Sequence, residues 1–189
     1  MGSADPMTPV GVRPRRPRLL LGGAIIMLLA IIAIVVLLAN EPEPNTGTAE
    51  PSAEELQRLS AEAAAAAVNL FKKQDEADTA GDTSVLDGLY VPGSQLEVVQ
   101  KDFIRNRAAA GEISEPRTET SGVEVERVDR GQATVLITHE VIEVKVRDIK
   151  TRKLKRTEVG VGPTGYRIGF RRLDNRWLVN EIQFAKEDG

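Results

Sequence analysis

Residues 165–184, GYRIGFRRLDNRWLVNEIQF, place Tyr166, Ile168 and Phe170 on one parity, break at Asp174-Asn175-Arg176, and resume as WLVNEIQF. A period of two is the spacing at which alternate side chains of an extended strand face the same way. The Asp-Asn pair tolerates the tight backbone of a turn. The stretch therefore predicts two antiparallel strands, 165–173 and 177–184, joined by a short hairpin.

Upstream, residues 154–161 read as a further strand. The glycine-rich GVGPTG at 160–165 lacks the Lys-Ser/Thr pair and the helix of a phosphate loop, so it reads as a bulge or kink between strands. Val135, Ile137, His139 and Val141 alternate on one face, after a turn at DRGQ (129–132) that joins them to a strand marked by Val123 and Val125. Past Val141 the apolar positions move to Ile142, Val144 and Val146. That change of parity is what a β-bulge produces in a long, bent strand.

The first half of the outer region is helical in period. Ser52-Ala53-Glu54-Glu55 is a capping box, followed by Leu56, Leu59, Ala63, Ala66, Ala67, Leu70 and Phe71 at helical spacing, with Gly81 as the stop. This predicts a helix over 52–78. Its small-residue run AEAAAAAV (61–68) suits either close packing on a sheet or a seam with a second copy. Residues 82–90 predict a short second helix with Val85, Leu86, Leu89 and Tyr90 inward, ended by the turn VPGS. Ser94 and Glu97 form another capping box, opening a helix to about residue 110 with Leu96, Val99 and Phe103 on one side and Gly111 at its end.

Helices followed by an antiparallel curved sheet make an α+β layout with the helices on the concave face. That order, ending in GYRIGFRRLDNRWLVNEIQF, resembles the nuclear transport factor 2-like (cystatin-like α+β cone) superfamily over residues 52–186. DGLYVPGSQLEVVQKD (87–102) is similar to its membrane-anchored bacterial members. With the N-terminal segment, the arrangement is similar to that of Mce-associated membrane proteins and of single-span assembly factors of type IV secretion and conjugation. The resemblance implies a scaffold in a cell-envelope complex; other members of the superfold are isomerases, dehydratases and SnoaL-like cyclases.

The N-terminal segment carries its own signal. Residues 19–39 contain 21 residues without a charged or polar side chain or a proline. At about 1.5 Å per residue they reach roughly 31 Å, the thickness of a bilayer's hydrocarbon core. A cleaved signal has a shorter apolar run and small residues at its cut, where this chain has Leu37-Leu38-Ala39. Arg13, Arg15, Arg16 and Arg18 before the run, and glutamates after it, orient a spanning helix with its N-terminus in the cytoplasm. The expected organisation is a basic stub at 1–18, a transmembrane helix at 19–39, a Pro/Glu-rich linker at 40–51, and an extracytoplasmic domain at 52–189 in the cell membrane's outer compartment.

Composition removes several chemistries. The 189-residue chain has no cysteine, so it offers no disulfide, thiolate nucleophile, thiolate metal site or lipidated thiol. Its single histidine, His139, leaves a histidine metal site without a second ligand. Net charge is -3; Arg13, Arg15, Arg16 and Arg18 against Asp5 make residues 1–18 basic at +3, so the remainder is acidic at -6 and is not expected to bind nucleic acid.

The remaining candidates are few. His139 shares the face of Val135, Ile137 and Val141, and serves either as a base inside the cone or as a buried structural side chain. Tyr166 and Trp177 either line a pocket or fill the core. No Tyr-Asp pair stands at a spacing that places both on one wall. Arg147, Lys150, Arg152, Lys153, Lys155 and Arg156 crowd a strand-to-strand turn, predicting a basic hairpin tip for anionic lipid, wall polymer or an acidic partner, each cation being worth about 1 kcal/mol near an anionic surface. The other reading is a solvated turn that guards a sheet edge. The expected function is a single-span scaffold or accessory protein docking envelope partners, with a homodimer expected and with no enzymatic activity, cofactor or metal. The alternative is a module holding a small apolar ligand or lipid in the cone, and a SnoaL-like enzyme comes third.

Overall fold

The computed structural model describes residues 51–185. The stub, the apolar run with its flanking arginines Arg13, Arg15, Arg16 and Arg18, and all of the linker but Pro51 lie outside the described residues. Among the described residues no helix is long and apolar enough to cross a membrane.

Helix α1 spans Ala53–Ala80, with the Ser52 hydroxyl accepting from the Glu55 amide at 3.2 Å. Gly81 ends it at φ 68, where its amide and that of Asp82 both donate to the Ala77 carbonyl. Only a residue without Cβ takes that left-handed backbone cheaply, and a Cβ here would also meet Ile113 at 2.9 Å. Leu59, Ala63, Ala67 and Leu70 are buried along one stripe. Ala63 and Ala67 of the alanine run are therefore core, and their small side chains let the helix backbone settle close to the sheet, while Ala61, Ala65 and Val68 are exposed.

The expected second helix is a single 3-10 turn, Thr83–Leu86, capped by Asp82. After it the chain straightens. Leu89 and Val91 exchange backbone hydrogen bonds with Val179, so Tyr90 lies as a parallel bridge along the last strand and covers its edge. Helix α2 spans Gln95–Ala109 behind the Ser94 cap. Its buried side chains are Gln100 and Ile104, with Leu96 and Phe103 half-buried. The inward face is thus turned by one position from the Leu96, Val99, Phe103 expectation, because Ile104 is the residue that reaches the core.

Five antiparallel strands follow: β1 (Glu112–Val128), β2 (Gln132–Asp148), β3 (Leu154–Val159), β4 (Thr164–Leu173) and β5 (Arg176–Phe184). The order across the sheet is β1-β2-β4-β5, and β3 also pairs with β2. Strand β1 begins 11 residues before Val123, earlier than its sequence signals, because its inner positions hold Ser114 and Thr118 instead of an apolar series. Strand β2 carries the fold. Its first half pairs with β4, and its second half with β3. Between the halves Arg117 faces Glu143 and Thr118 faces Val141, which leaves Ile142 as an extra residue. The predicted bulge is there, and burial switches from Val135 and Ile137 to Val144 and Val146 across it. Strand β3 stops two residues short of the expected 161, since Gly160 leaves the ladder to pack on the bulge.

The core joins α1 to the concave face of the sheet through Ala67, Leu70, Leu86, Val135, Ile137, Ile168, Phe170 and Val179. Each large aliphatic buried there contributes about 1.5–3 kcal/mol against exposure.

Candidate functional site

One turn past Leu70, the inward stripe of α1 continues as Phe71, Gln74, Asp75 and Asp78, residues at i, i+3, i+4 and i+7 that share one helix face. These polar groups are only partly exposed. With α2 on one side and the bent half of the sheet opposite, they line a partly open cavity of about 190 Å³. From α2 come Gln100, Phe103 and Arg107; from the sheet, Ser114, His139, Val144 and Tyr166. Most of the wall is carbon.

His139 sits on the wall as its parity implied. Its ring stacks on Phe71 with centroids 4.1 Å apart and planes 12° from parallel, and Nδ1 lies 2.9 Å from the Thr120 hydroxyl. Burial pushes its pKa down to about 4, so the imidazole stays neutral across physiological pH. Tyr166 packs at 5.4 Å from Phe71 and 5.5 Å from Phe184, and burial raises its phenol. Trp177 does not line the cavity. It packs against the core with the Arg172 guanidinium 5.6 Å from its ring centroid.

Two carboxylates complete the site, and they were the side chains the sequence did not point to. Asp75 accepts from the Thr118 hydroxyl at 2.6 Å; burial raises its pKa, and that hydrogen bond lowers it in part. Asp78 is more deeply placed. Desolvation lifts its pKa to about 7, Arg107 acts in the opposite direction, and Asp75 adds to the rise. Its Oδ1 is buried with no hydrogen-bond partner. The absence of a Tyr-Asp pair on one wall is thereby corrected: Asp75, Asp78, His139 and Tyr166 surround one space. The signal available in the sequence was polar residues on a stripe that should have stayed apolar.

Chemically, the site holds a neutral imidazole and a carboxyl whose raised pKa lets it hold or release a proton near neutrality. Among the described residues no group of three metal-binding side chains comes together.

These two groups make opposite demands on stability. Unfolded, His139 takes its proton near pH 6.5; folded, it holds off until about 4, so its contribution is full above 6.5 and is lost as pH falls through that window. Asp78 ionises near 3.8 when unfolded and about 7 when folded, so its contribution is full at low pH and is lost as pH rises toward 7. Between about 4 and 6.5 the slopes oppose each other. Urea unfolding across that window should find wild-type stability nearly flat, Asp78→Asn losing stability toward acid, and His139→Phe losing it toward alkali. Parallel profiles for all three would contradict the site's electrostatics.

The basic tip is a hairpin between β2 and β3, with its turn at Ile149–Lys153. Most of its cations are engaged within the chain. Arg147 pairs with Glu115 at 2.7 Å, Arg156 with Glu112 at 2.9 Å and Glu158 at 2.8 Å, and Lys155 lies 3.6 Å from Glu112. Arg152 donates to the Thr79 carbonyl. Lys150 and Lys153 remain exposed without an ion pair among the described residues.

No protein-family model matches the chain, and no curated protein sequence does. Solved structures similar to it include the intermembrane-space region of the chloroplast protein ARC6, at 15% identity over 66% of this chain and 97% of that one, TM-score 0.47. An NTF2-like protein of unknown function from Shewanella oneidensis MR-1 matches at 16% identity, 65% and 98% coverage, TM-score 0.42. An NTF2-like protein with a cystatin-like fold from Novosphingobium aromaticivorans matches at 17% identity, 70% and 86% coverage, TM-score 0.42.

Proposed function

We propose that residues 52–185 form a binding module of the nuclear transport factor 2-like kind, taking a small, mainly apolar molecule into the cone and held outside the cytoplasm by the apolar run at 19–39. The observation that carries the reading is the cavity of about 190 Å³ with an apolar wall and a few polar groups gathered on α1. Ligand sites have this make-up, since the carbon wall supplies affinity and the few polar groups fix orientation. A domain that only docked partners would gain more from filling the space, because every missing contact weakens packing.

Full-length chain extracted from its membrane should carry a small molecule detectable by mass spectrometry, and Val144→Trp, which fills the cavity, should lose it. Equal recovery from both proteins would defeat the reading. The location has its own check, since the chain has no cysteine. In intact cells a membrane-impermeant maleimide should label Ser121→Cys and spare Thr8→Cys; the reverse pattern would place the domain in the cytoplasm.

Scaffolding of an envelope assembly is the second reading. Strand β3 favours it: among the described residues it pairs only with β2, and Leu154 and Val159 stand 52% and 90% exposed along it. Crosslinking in cells that recovers a partner through this edge, with no small molecule in the cone, would move the scaffold reading to first place.

A further inference from the structure

The class of ligand can be read from the charges around the cavity, and this step rests on the binding reading above. Asp75 and Asp78 stand three residues apart on α1, a spacing that puts their Cβ atoms about 5–6 Å from one another on one face. The titratable and charged groups facing the same space are Arg107 from α2, His139 from β2 and Tyr166 from β4. His139 and Tyr166 are neutral there. Arg107 lies over the Phe103 ring at 5.1 Å and influences Asp78 only through space. With both aspartates ionised, the cavity therefore carries one uncompensated negative charge.

A second observation points the same way and does not depend on the aspartates. Ser114 is 2% exposed, it lines the cavity, and its Oγ has no hydrogen-bond partner. A buried hydroxyl left unpaired costs about 1–3 kcal/mol, so native folds seldom leave one without a use. Asp78 Oδ1 is orphaned in the same space. A carboxylate oxygen and a hydroxyl that both lack partners, on residues lining one cavity, leave acceptor capacity for a ligand that brings several donors.

We infer that the occupant is a small amphipathic cation, a protonated amine on an apolar or aromatic body, with its ammonium received by Asp75, Asp78 and Ser114 and its body lying against Phe71, Phe103 and Tyr166. An ammonium group brings three donors and no acceptor, and its charge cancels the excess left by Arg107 and the two carboxylates. The aromatic rings add cation–π attraction for a charge that is leaving water. An anion would meet two partly buried carboxylates, and a neutral alcohol would leave the charge unbalanced. Near neutrality Asp78 is partly protonated, and the amine displaces that fraction of a proton.

Calorimetry on the full chain in lipid nanodiscs, corrected with empty nanodiscs, tests this with three probes of matched size: phenethylamine, phenethyl alcohol and hydrocinnamate. Phenethylamine should bind at least about tenfold tighter than the other two, a difference of roughly 1.4 kcal/mol. At pH 7 its binding should release a fraction of a proton, seen by comparing buffers of different ionisation enthalpy. Asp78→Asn should abolish both the preference and the proton release. Ser114→Ala should weaken the amine several-fold while leaving the alcohol unchanged, which keeps the test open should the first variant fold poorly. If the three probes bind alike, or hydrocinnamate binds best, the cation reading is overturned and the binding module stands. If no probe binds and none shifts the unfolding midpoint, both fail.

Discussion

Gly160→Val should cost about 3 kcal/mol or more and strip β3 from the sheet, although valine is a far better strand former than glycine. A Cβ at this position would come within 1.7 Å of the Val141 carbonyl oxygen and 2.4 Å of its carbon. Both atoms belong to the backbone of the β2 bulge, where the Gly160 amide donates to the Ile142 carbonyl and the Val141 amide to that of Val161. No rotamer change relieves a clash with backbone, so the two segments must separate and lose those hydrogen bonds. Insertions into well-packed sites typically cost about 1–3 kcal/mol, and losing a ladder adds to that. Gly162→Val is the control, because nothing lies within 4 Å of its would-be Cβ. Urea midpoints should separate the two variants clearly, and equal midpoints would mean that the bulge does not need its glycine.

The second large effect should come from Phe71→Ala. Phe71 is 7% exposed, stacks on His139 and packs on Tyr166. Buried Phe→Ala changes cost about 3–5 kcal/mol. Because this ring borders a cavity and some of its contacts are already missing, about 3 kcal/mol is expected. The change should also be visible in titration. Without the ring, water reaches the imidazole, and the His139 pKa should climb from about 4 toward its ordinary 6.5. The chain has one histidine, so a single imidazole resonance followed against pH by NMR reports it without ambiguity. A pKa that stays near 4 would show that something other than Phe71 keeps His139 dry.

Both variants mark a boundary between local and long-range information. The caps at Ser52 and Ser94, the αL stop at Gly81 and the turn at Asp129 each depend on a few neighbouring residues, and each is where the sequence puts it. The bulge was legible too, because an extra residue flips the parity of every apolar side chain after it. The N-terminal half of β1 was not legible. Its inward positions, Ser114, Pro116 and Thr118, carry no apolar series: the first two line the cavity and the third bonds Asp75, and that setting exists only after α1 crosses the sheet. Asp75 and Asp78 were missed for the same reason. On α1 alone they look like a solvated end of a helix with an apolar stripe that has run out.

The sequence by itself determined the element order, the α+β layout, the inward placement of His139, and an N-terminal run of the length and flanking charge of a membrane span. All of these follow from local periodicity or from the chemistry of a few adjacent residues. Tertiary structure alone decided which side chains share the cavity, that Trp177 stays out of it, that Arg147, Lys155 and Arg156 are spent on Glu112, Glu115 and Glu158, and that two aspartates from one helix turn line the same cavity as a buried serine from β1. Those facts depend on desolvation, and desolvation is set by what packs overhead. A carboxylate has no raised pKa, and a serine no missing partner, until the fold has taken the water away.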